Sequence, residues 1–470
     1  MTEPPQQLTL HQWDSRYVEL TAFGWSPRWY DGPLCRHAEG GDTRLLRLRF
    51  DNSTEALTLW NFLLTEEDRL KHFREQGAIL IGTMKDLGTV PVMAFALPNV
   101  VAFYPDGAWW IPCVMEMSTG LLEIADSLGI DESFCPVRAM LGAFVTQKHF
   151  PIPDQLICSV GATCDDFSAI AQRLEAMGHP IMWWEIPHRN PPQEGEEAVT
   201  LPGGFQASPP QLSFVKHELE RVKGILESAS GSVLDDEMLS AGIQRANTVR
   251  RCLKELRHLT FTAPLCPMPA LEMLIAEMLA IHFCSDRDES LFVLEGLLNR
   301  VRQRIADRQG YFGEDAARIF WVNPVADLRA MNILERCGGR LCGTEYLFSH
   351  ALDEIPTGIA PLEALAQMAL ADPMVGSTAD RADRIIRDIQ LYGAEGLIIS
   401  RIPGASHCAL EGKIIARQVQ EALNLPVLEI EVPPLSDAFR LALNTRISAL
   451  VEVIHGRRAK ELSLQSRSLS

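Results

Sequence analysis

Three of the eleven cysteines stand where a cysteine can do more than fill space. Cys135 lies in Ser-Phe-Cys-Pro-Val-Arg, where Pro136 suits the first position of a helix and sets Cys135 at or beside its N-cap. Cys164 follows a strand predicted at 155–160 through a turn containing Gly161, and it directly precedes a helix opened by Asp165. Cys408 follows a strand predicted at 396–400 and precedes a helix at 409–423. The start of a helix offers free N–H groups and the positive end of its dipole, which favour thiolate over thiol, and thiolate is the form that binds iron. Loops that start helices gather at the carboxyl ends of parallel strands, so three such thiolates can meet at one point. A [4Fe–4S] cluster normally takes four cysteines; three protein ligands would leave one iron open, an arrangement for catalysis rather than electron relay. The chain has no compact Cys-x-x-Cys run, and a cysteine at a helix start also serves as a small core hydrophobe.

The remaining candidates have plainer alternatives. Cys158 falls inside an apolar strand, and Cys252, Cys266 and Cys284 sit in helical sequence, all as core residues. Cys113, after Trp109-Trp110-Ile-Pro, is close enough in sequence to approach the Cys135 loop; Cys337 and Cys342 flank a Gly338-Gly339 helix stop. Glu185, His188, His407 and Glu411 are polar groups near the cysteine loops that also suit surface or capping positions, so no acid–base residue is assigned. Arg138 either neutralises charge at the site or is a solvated helix arginine. The pairs Trp109-Trp110 and Trp183-Trp184 suit core packing or the wall of an apolar pocket.

The elements that must position these residues follow from periodicity. An N-terminal extension, 1–80, is partly helical, with the 3.6-residue spacing of one helix over 53–76. From Gly77, short apolar runs alternate with helical stretches: strands at 78–82, 100–104, 155–160 and 181–186, and helices at 118–128 and 165–177. This makes 81–190 a first α/β lobe carrying two of the cysteine loops. A linker crowded with Pro, Gly and Glu (188–210) opens a helical segment, 191–315, with helices at 212–228, 236–259 and 270–308. Alternation returns in a second α/β lobe, 316–470, with strands at 319–322, 340–344, 396–400 and 427–431 and helices at 324–336, 379–392, 409–423 and 434–455. The expected fold is α/β: two Rossmann-like parallel-sheet lobes with a helical segment between them.

Composition narrows the partners. A formal charge of −18 repels a nucleic-acid backbone or an anionic membrane, although one basic cleft can still take a small anion. The N-terminus lacks a basic stretch followed by an apolar one, and the apolar windows at 90–104 and 265–284 are broken by proline or carry charges. Neither is expected to span a membrane, and a cytoplasmic location follows. Eleven cysteines in such a chain argue against a disulfide framework.

Four stretches carry a resemblance to the cluster-bearing subunits of the 2-hydroxyacyl-CoA dehydratase and benzoyl-CoA reductase superfamily. They are Ser-Thr-Gly-Leu-Leu-Glu-Ile-Ala-Asp-Ser-Leu-Gly from Ser118 with Cys-Pro-Val-Arg-Ala-Met-Leu-Gly from Cys135; Asp-Gln-Leu-Ile-Cys-Ser-Val-Gly-Ala-Thr-Cys-Asp-Asp from Asp154 with His-Pro-Ile-Met-Trp-Trp-Glu-Ile-Pro from His179; Gly-Ala-Glu-Gly-Leu-Ile-Ile-Ser from Gly393, leading to Ser-His-Cys ending at Cys408; and Pro-Val-Leu-Glu-Ile-Glu from Pro426 with Asn444-Thr-Arg-Ile. The likeness spans roughly 90–455. It implies that Cys135, Cys164 and Cys408 hold a [4Fe–4S] cluster. It also implies a homologous cluster-bearing subunit, an ATP-hydrolysing iron–sulfur activator that delivers a low-potential electron, and an acyl-CoA or aryl-CoA substrate reduced to a ketyl radical. The first 75 or so residues match nothing in that pattern, residues 372–378 lack the additional cysteine of some relatives, and the absence of a Walker A sequence fits ATP chemistry on another chain. Two alternatives stay open: a homodimeric double-cubane cluster reductase of small molecules, and a cluster-free scaffold subunit.

Overall fold

The computed structural model describes residues 4–26, 32–38, 45–85, 88–106, 118–280, 285–323, 325, 327–405, 410–432 and 437–468. Its first elements are β1 (Gln7–Leu8), α1 (Leu10–Ala22), α2 (Cys35–Ala38), β2 (Phe50–Asp51), α3 (Thr54–Leu64) and α4 (Glu66–Glu75). Thr9 opens α1 with a reciprocal cap to Gln12, and Ser53 caps α3 through Ala56 N–H. The single helix expected over 53–76 is two, because the Thr65 hydroxyl turns back to the Asn61 carbonyl at 2.5 Å and the backbone leaves helical geometry there.

The first lobe follows as β3 (Ile79–Met84), α5 (Thr89–Ala96), β4 (Val100–Phe103), α6 (Ser118–Ser127), a 3-10 turn at Pro136–Arg138, α7 (Ala139–Thr146), β5 (Gln155–Gly161), α8 (Asp165–Ala176) and β6 (Ile181–Ile186). The periodicity missed α5 because every residue in it is buried, leaving no polar face to mark a period; Pro91 sits harmlessly in its first turn. After a short β7–β8 hairpin (Val199–Thr200, Gln206–Ala207) come α9 (Pro209–Ser230), α10 (Asp236–Thr262), α11 (Ala270–Met278) and α12 (Arg287–Ala306). The expected helix at 270–308 is thus two, the second freshly capped by Asp286 through Glu289 N–H.

The second lobe comprises β9 (Ala317–Val322), α13 (Arg329–Arg336), β10 (Gly339–Glu345), a 3-10 stretch (Leu347–Leu352), α14 (Pro361–Leu370), α15 (Thr378–Tyr392), β11 (Gly396–Arg401), α16 (Gly412–Leu423), β12 (Val427–Glu431) and α17 (Asp437–Ser468). Each lobe holds a four-stranded parallel sheet, ordered β4-β3-β5-β6 in the first and β10-β9-β11-β12 in the second. Two such sheets flanked by helices are the α/β fold the alternation predicts.

The N-terminal segment is built into the interior. Phe50 and Trp60 meet edge to face at 5.0 Å within the core that also holds Leu271, Leu274 and the strands of the second lobe. Its buried Asp51 receives both Nη atoms of Arg304 at 2.8 Å, while Asp51 N–H and Trp60 Nε1–H donate to Glu272. Burial opposes the Asp51 charge, but the Arg304 fork outweighs it and holds the carboxyl below its usual range; burial and the neighbouring Asp51 push Glu272 up to about 8. Arg304→Met strands Asp51 in the interior and should lower stability by about 3–5 kcal/mol in urea unfolding, whereas Arg302→Met, which breaks the exposed pair with Glu255, should cost under about 1 kcal/mol.

Candidate functional site

In both sheets the strand order reverses between the first strand and the third, β3 and β5 in one, β9 and β11 in the other. Such a reversal opens a crevice at the carboxyl ends of the strands. The chain is pinned there in the same way twice. Lys85 directly follows β3 with φ 58°, and Asn323 directly follows β9 with φ 68°, both in the left-handed region that non-glycine residues seldom adopt. Ser159 on β5 donates its hydroxyl to the Lys85 carbonyl, and Ser400 on β11 donates to the Asn323 carbonyl at 3.0 Å. Both serines are fully buried.

The loop after β5 carries Cys164 and the loop after β11 leads to Cys408. Gly161 turns the first of these with φ 106°, and a Cβ there would strike the Ile186 carbonyl. Cys164 N-caps α8, and its thiol lies 3.8 Å from Asp166 Oδ2; Cys135 caps the Pro136–Arg138 turn, and its N–H donates to Asp166 Oδ1 at 3.4 Å. Asp166 therefore joins the two loops. Arg138 is buried rather than solvated, pairs with Asp126 and donates to the Phe134 carbonyl, bracing the turn before Cys135. From the second lobe Gly404, φ 83°, comes so close that a Cβ would sit 2.5 Å from the Phe134 carbonyl. Cys408 and His407 lie outside the described residues, as do Cys113, Cys284 and Trp109-Trp110. Among the described residues no group of three or more His, Cys, Asp or Glu is arranged to hold a metal ion.

The electrostatics at Cys164 differ from the sequence expectation. Burial pushes its thiol up to about 11, and Asp166 adds to the rise; the N–H groups of Phe167 and Asp166 and the nearby Lys85 ammonium pull the other way and lose. Position at a helix start is not enough to ionise a thiol this deeply enclosed. Lys85, whose Nζ donates to Ser168 at 3.3 Å, is itself held below the usual lysine range by burial, against the opposing pull of Cys164, Cys158, Asp165 and Asp166.

Periodicity also passed over a buried polar chain in the second lobe. Glu345, the last residue of β10, takes a two-pronged bond from Arg381 at 2.8 and 2.7 Å and pairs with His350 Nε2; His350 Nδ1 meets Asp372 at 3.0 Å. Arg381 also reaches Asn323 Oδ1 at 2.7 Å and Glu411, three residues past Cys408, and Thr378 donates to Glu411 at 2.9 Å. Arg189, just beyond β6 of the first lobe, donates to the carbonyls of Leu370 and Asp372 at 2.5 and 3.1 Å. One polar chain thus ties the first lobe to the helix behind the third cysteine loop. The clue in the sequence is a polar residue at the end of an apolar strand, Asn323 after Phe-Trp-Val and Glu345 after Leu-Cys-Gly-Thr.

A family model for the 2-hydroxyglutaryl-CoA dehydratase D-component matches residues 92–454. The chain belongs to this family. Its members form dehydratase-type enzyme subunits, and the family is associated with iron–sulfur centres. The dehydratase match takes in Cys135, Cys164 and Cys408 and begins seven residues after Lys85. No curated protein matches the chain. No helix among the described residues is long and apolar enough to cross a membrane. The other named groups fall into place as structure: Cys158, Cys252, Cys266 and Cys342 are buried, Trp184 is in the core, and the described cysteines are all reduced thiols. Glu185 and His188 are exposed, with the Glu185 N–H bonded to Glu218 and the His188 carbonyl bonded to Gln211.

The polar chain sets a pH dependence. Burial opposes the His350 imidazolium, but Glu345 and Asp372 outweigh it and raise its pKa, while Arg381 and His350 hold the Glu345 carboxyl well below the usual range against burial. Stability from a raised histidine is full below its unfolded value, about 6.5, and is lost as pH rises through the folded one. The depressed Glu345 adds stability that persists down to strong acid. The stability gap between wild type and His350→Gln, from urea titrations between about pH 6 and 9, should therefore be widest at the acid end and close as pH rises.

Proposed function

We propose that this chain is the iron–sulfur subunit of a cytoplasmic, oxygen-sensitive enzyme acting on acyl-CoA or aryl-CoA thioesters, with Cys135, Cys164 and Cys408 as ligands of a [4Fe–4S] cluster. The observation that carries the proposal is the meeting of the Cys135 and Cys164 loops on Asp166, with the stem of the Cys408 loop against Phe134. The donors fit such a group: thiols are soft ligands, and a thiol that burial holds protonated needs a compensating cation to ionise, which iron supplies. When bound, the cluster supplies low-potential one-electron chemistry and, with three protein ligands, an iron open to substrate.

The chain's own residues perform the rest. Gly161 and Gly404 let the loops approach, Asp166 orients two of them, and Arg138 fixes the carbonyl before Cys135. Lys85 adds a positive charge behind Cys164, which offsets the negative charge of a thiolate-ligated cluster. Arg381 holds Glu411, and with it the start of α16, to the ends of β9 and β10. The partners this reading calls for are a homologous cluster-bearing subunit and an ATP-hydrolysing iron–sulfur activator.

Iron and acid-labile sulfide content with EPR of the reduced protein, purified without oxygen, tests the proposal in wild type and Cys164→Ala. About four irons per chain in wild type, lost in the variant, are expected. An iron-free wild-type chain would overturn it in favour of a scaffold subunit.

A further inference from the structure

The N-terminal segment, which precedes the matched region 92–454, is held to the rest of the chain through a cluster of buried carboxyls: Asp51 of β2, Glu272 of α11 and Glu335 of α13. Asp51 N–H and Trp60 Nε1–H both donate to Glu272 Oε1, at 2.9 and 3.1 Å, while Glu272 Oε2 is buried and meets no hydrogen-bond partner among the described residues. Glu335 takes the Ala270 N–H at 2.6 Å on one oxygen and the side-chain amide of Gln7, from β1, on the other. Beside it, Asn332 and the Arg49 backbone exchange bonds of 2.9 and 3.2 Å. All of these except the Ala270 bond cross from the N-terminal segment to the matched region.

The charges here do not balance. Among the described residues Arg304 is the cation bonded to this cluster, and its fork is taken by Asp51. The other groups that face the carboxyls add no positive charge. Tyr311, whose ring lies 5.1 Å from the Arg304 guanidinium, keeps its hydroxyl proton because burial and Asp51 raise its pKa, and burial pushes the Cys266 thiol up to about 12. Arg49 is exposed. Two ionised glutamates would put two uncompensated charges in the interior, one of them on a carboxylate with an oxygen that no donor reaches. A carboxyl so placed keeps its proton. Burial, with Asp51 adding its like charge, raises Glu272 to about 8 and Glu335 to about 7.

We propose that this cluster is a proton-operated clasp, which docks the N-terminal segment while Glu272 and Glu335 are neutral and lets it open when they ionise. Opened to water, both carboxyls return to about 4.3, so opening releases their protons and is favoured as pH rises. Docking is strongest in mild acid and weakens as pH climbs toward the raised values of the two glutamates. Asp51, whose carboxyl is held low, acts in the opposite sense, in stronger acid. The clasp also bears on the strand ends of the second lobe. Helix α11 is buried on every side, and five residues after Glu272 its Glu277 accepts from Thr344, the neighbour of Glu345, at 2.6 Å. The clasp stands whether or not the cysteines hold a cluster.

Hydrogen exchange of the full chain read by mass spectrometry from about pH 6 to 9, corrected for the intrinsic pH dependence of exchange, tests it. In wild type the opening of 45–75 should rise by more than about ten-fold per pH unit between about pH 6 and 7, more slowly up to about 8, and level off beyond, ahead of any change in β5. Glu272→Gln combined with Glu335→Gln, which keeps both groups neutral in nearly the same shape, should hold 45–75 closed across the range. Wild-type protection of 45–75 that does not change with pH, or that falls only in step with β5, overturns the clasp. So does an equal loss of protection in the double variant. Should the double variant fail to fold, the wild-type profile decides alone.

Discussion

The site depends on a backbone carbonyl that has to be held in an unfavourable place. At the switch point of each sheet the chain leaves the first strand through a left-handed residue, Lys85 or Asn323, and a buried serine hydroxyl on the neighbouring strand bonds its carbonyl. Left-handed backbone costs a non-glycine residue on the order of 1 kcal/mol or more, and a buried carbonyl without a donor costs a similar amount or more again. The serine offsets both at once. It also joins the first strand's exit to the strand whose own exit carries a cysteine loop, so the two sides of each crevice cannot drift apart. In the second sheet the lock is doubled: Trp321 donates to the Ser400 hydroxyl at 2.9 Å and Asn323 Nδ2 donates to the Ser400 carbonyl at 2.9 Å.

The two lobes share this lock but fill it differently. The first puts an ammonium beside its crevice, where Cys164 lies close by; the second puts an amide, which hands the interaction on to Arg381, Glu345 and Glu411. A buried arginine with two carboxylates and an imidazole is costly to desolvate, and a wholly apolar packing of the same volume would be as stable. What the charged version adds is direction, since a guanidinium fixes its partners' geometry through several bonds at once. Arg381 uses that geometry to tie the helix after the third loop to two strand ends, and Arg189 extends the same frame into the other lobe.

Much of this was legible in the residues. Strands such as Ile181–Ile186 and Val427–Glu431 announce themselves by short apolar runs between turn residues, and Cys164 was readable as the residue before a helix because Gly161 and Asp165 bracket it. Where the pattern failed, the reason was physical. Helix α5 is buried all round and shows no period; the break at Thr65 depends on a hydroxyl bonding its own backbone, to which hydrophobic spacing is blind. The polar chain around Glu345 joins residues from five separate segments, and only the folded topology brings them together. Nothing in the sequence singles out Lys85, because its significance lies in its φ angle and its neighbour, neither of which a one-letter code carries.

The raised thiol of Cys164 makes the loops and any cation they hold interdependent. Enclosed at a helix start, the thiol stays protonated in the chain alone, because the helix N–H groups and Lys85 together do not repay the cost of burying a thiolate. A cation that ionises it gains a ligand, and the loop gains a bond that fixes Gly161 and Asp166 in turn. The same burial that opposes the bare thiolate keeps water from the bound one, so the feature that looks least suited to a ligand is the one that would shield a reducing centre once assembled. Asp166 sits where this matters most: its carboxylate receives the Cys135 N–H and faces the Cys164 thiol, so ionising that thiol places two negative charges side by side unless a cation lies between the loops.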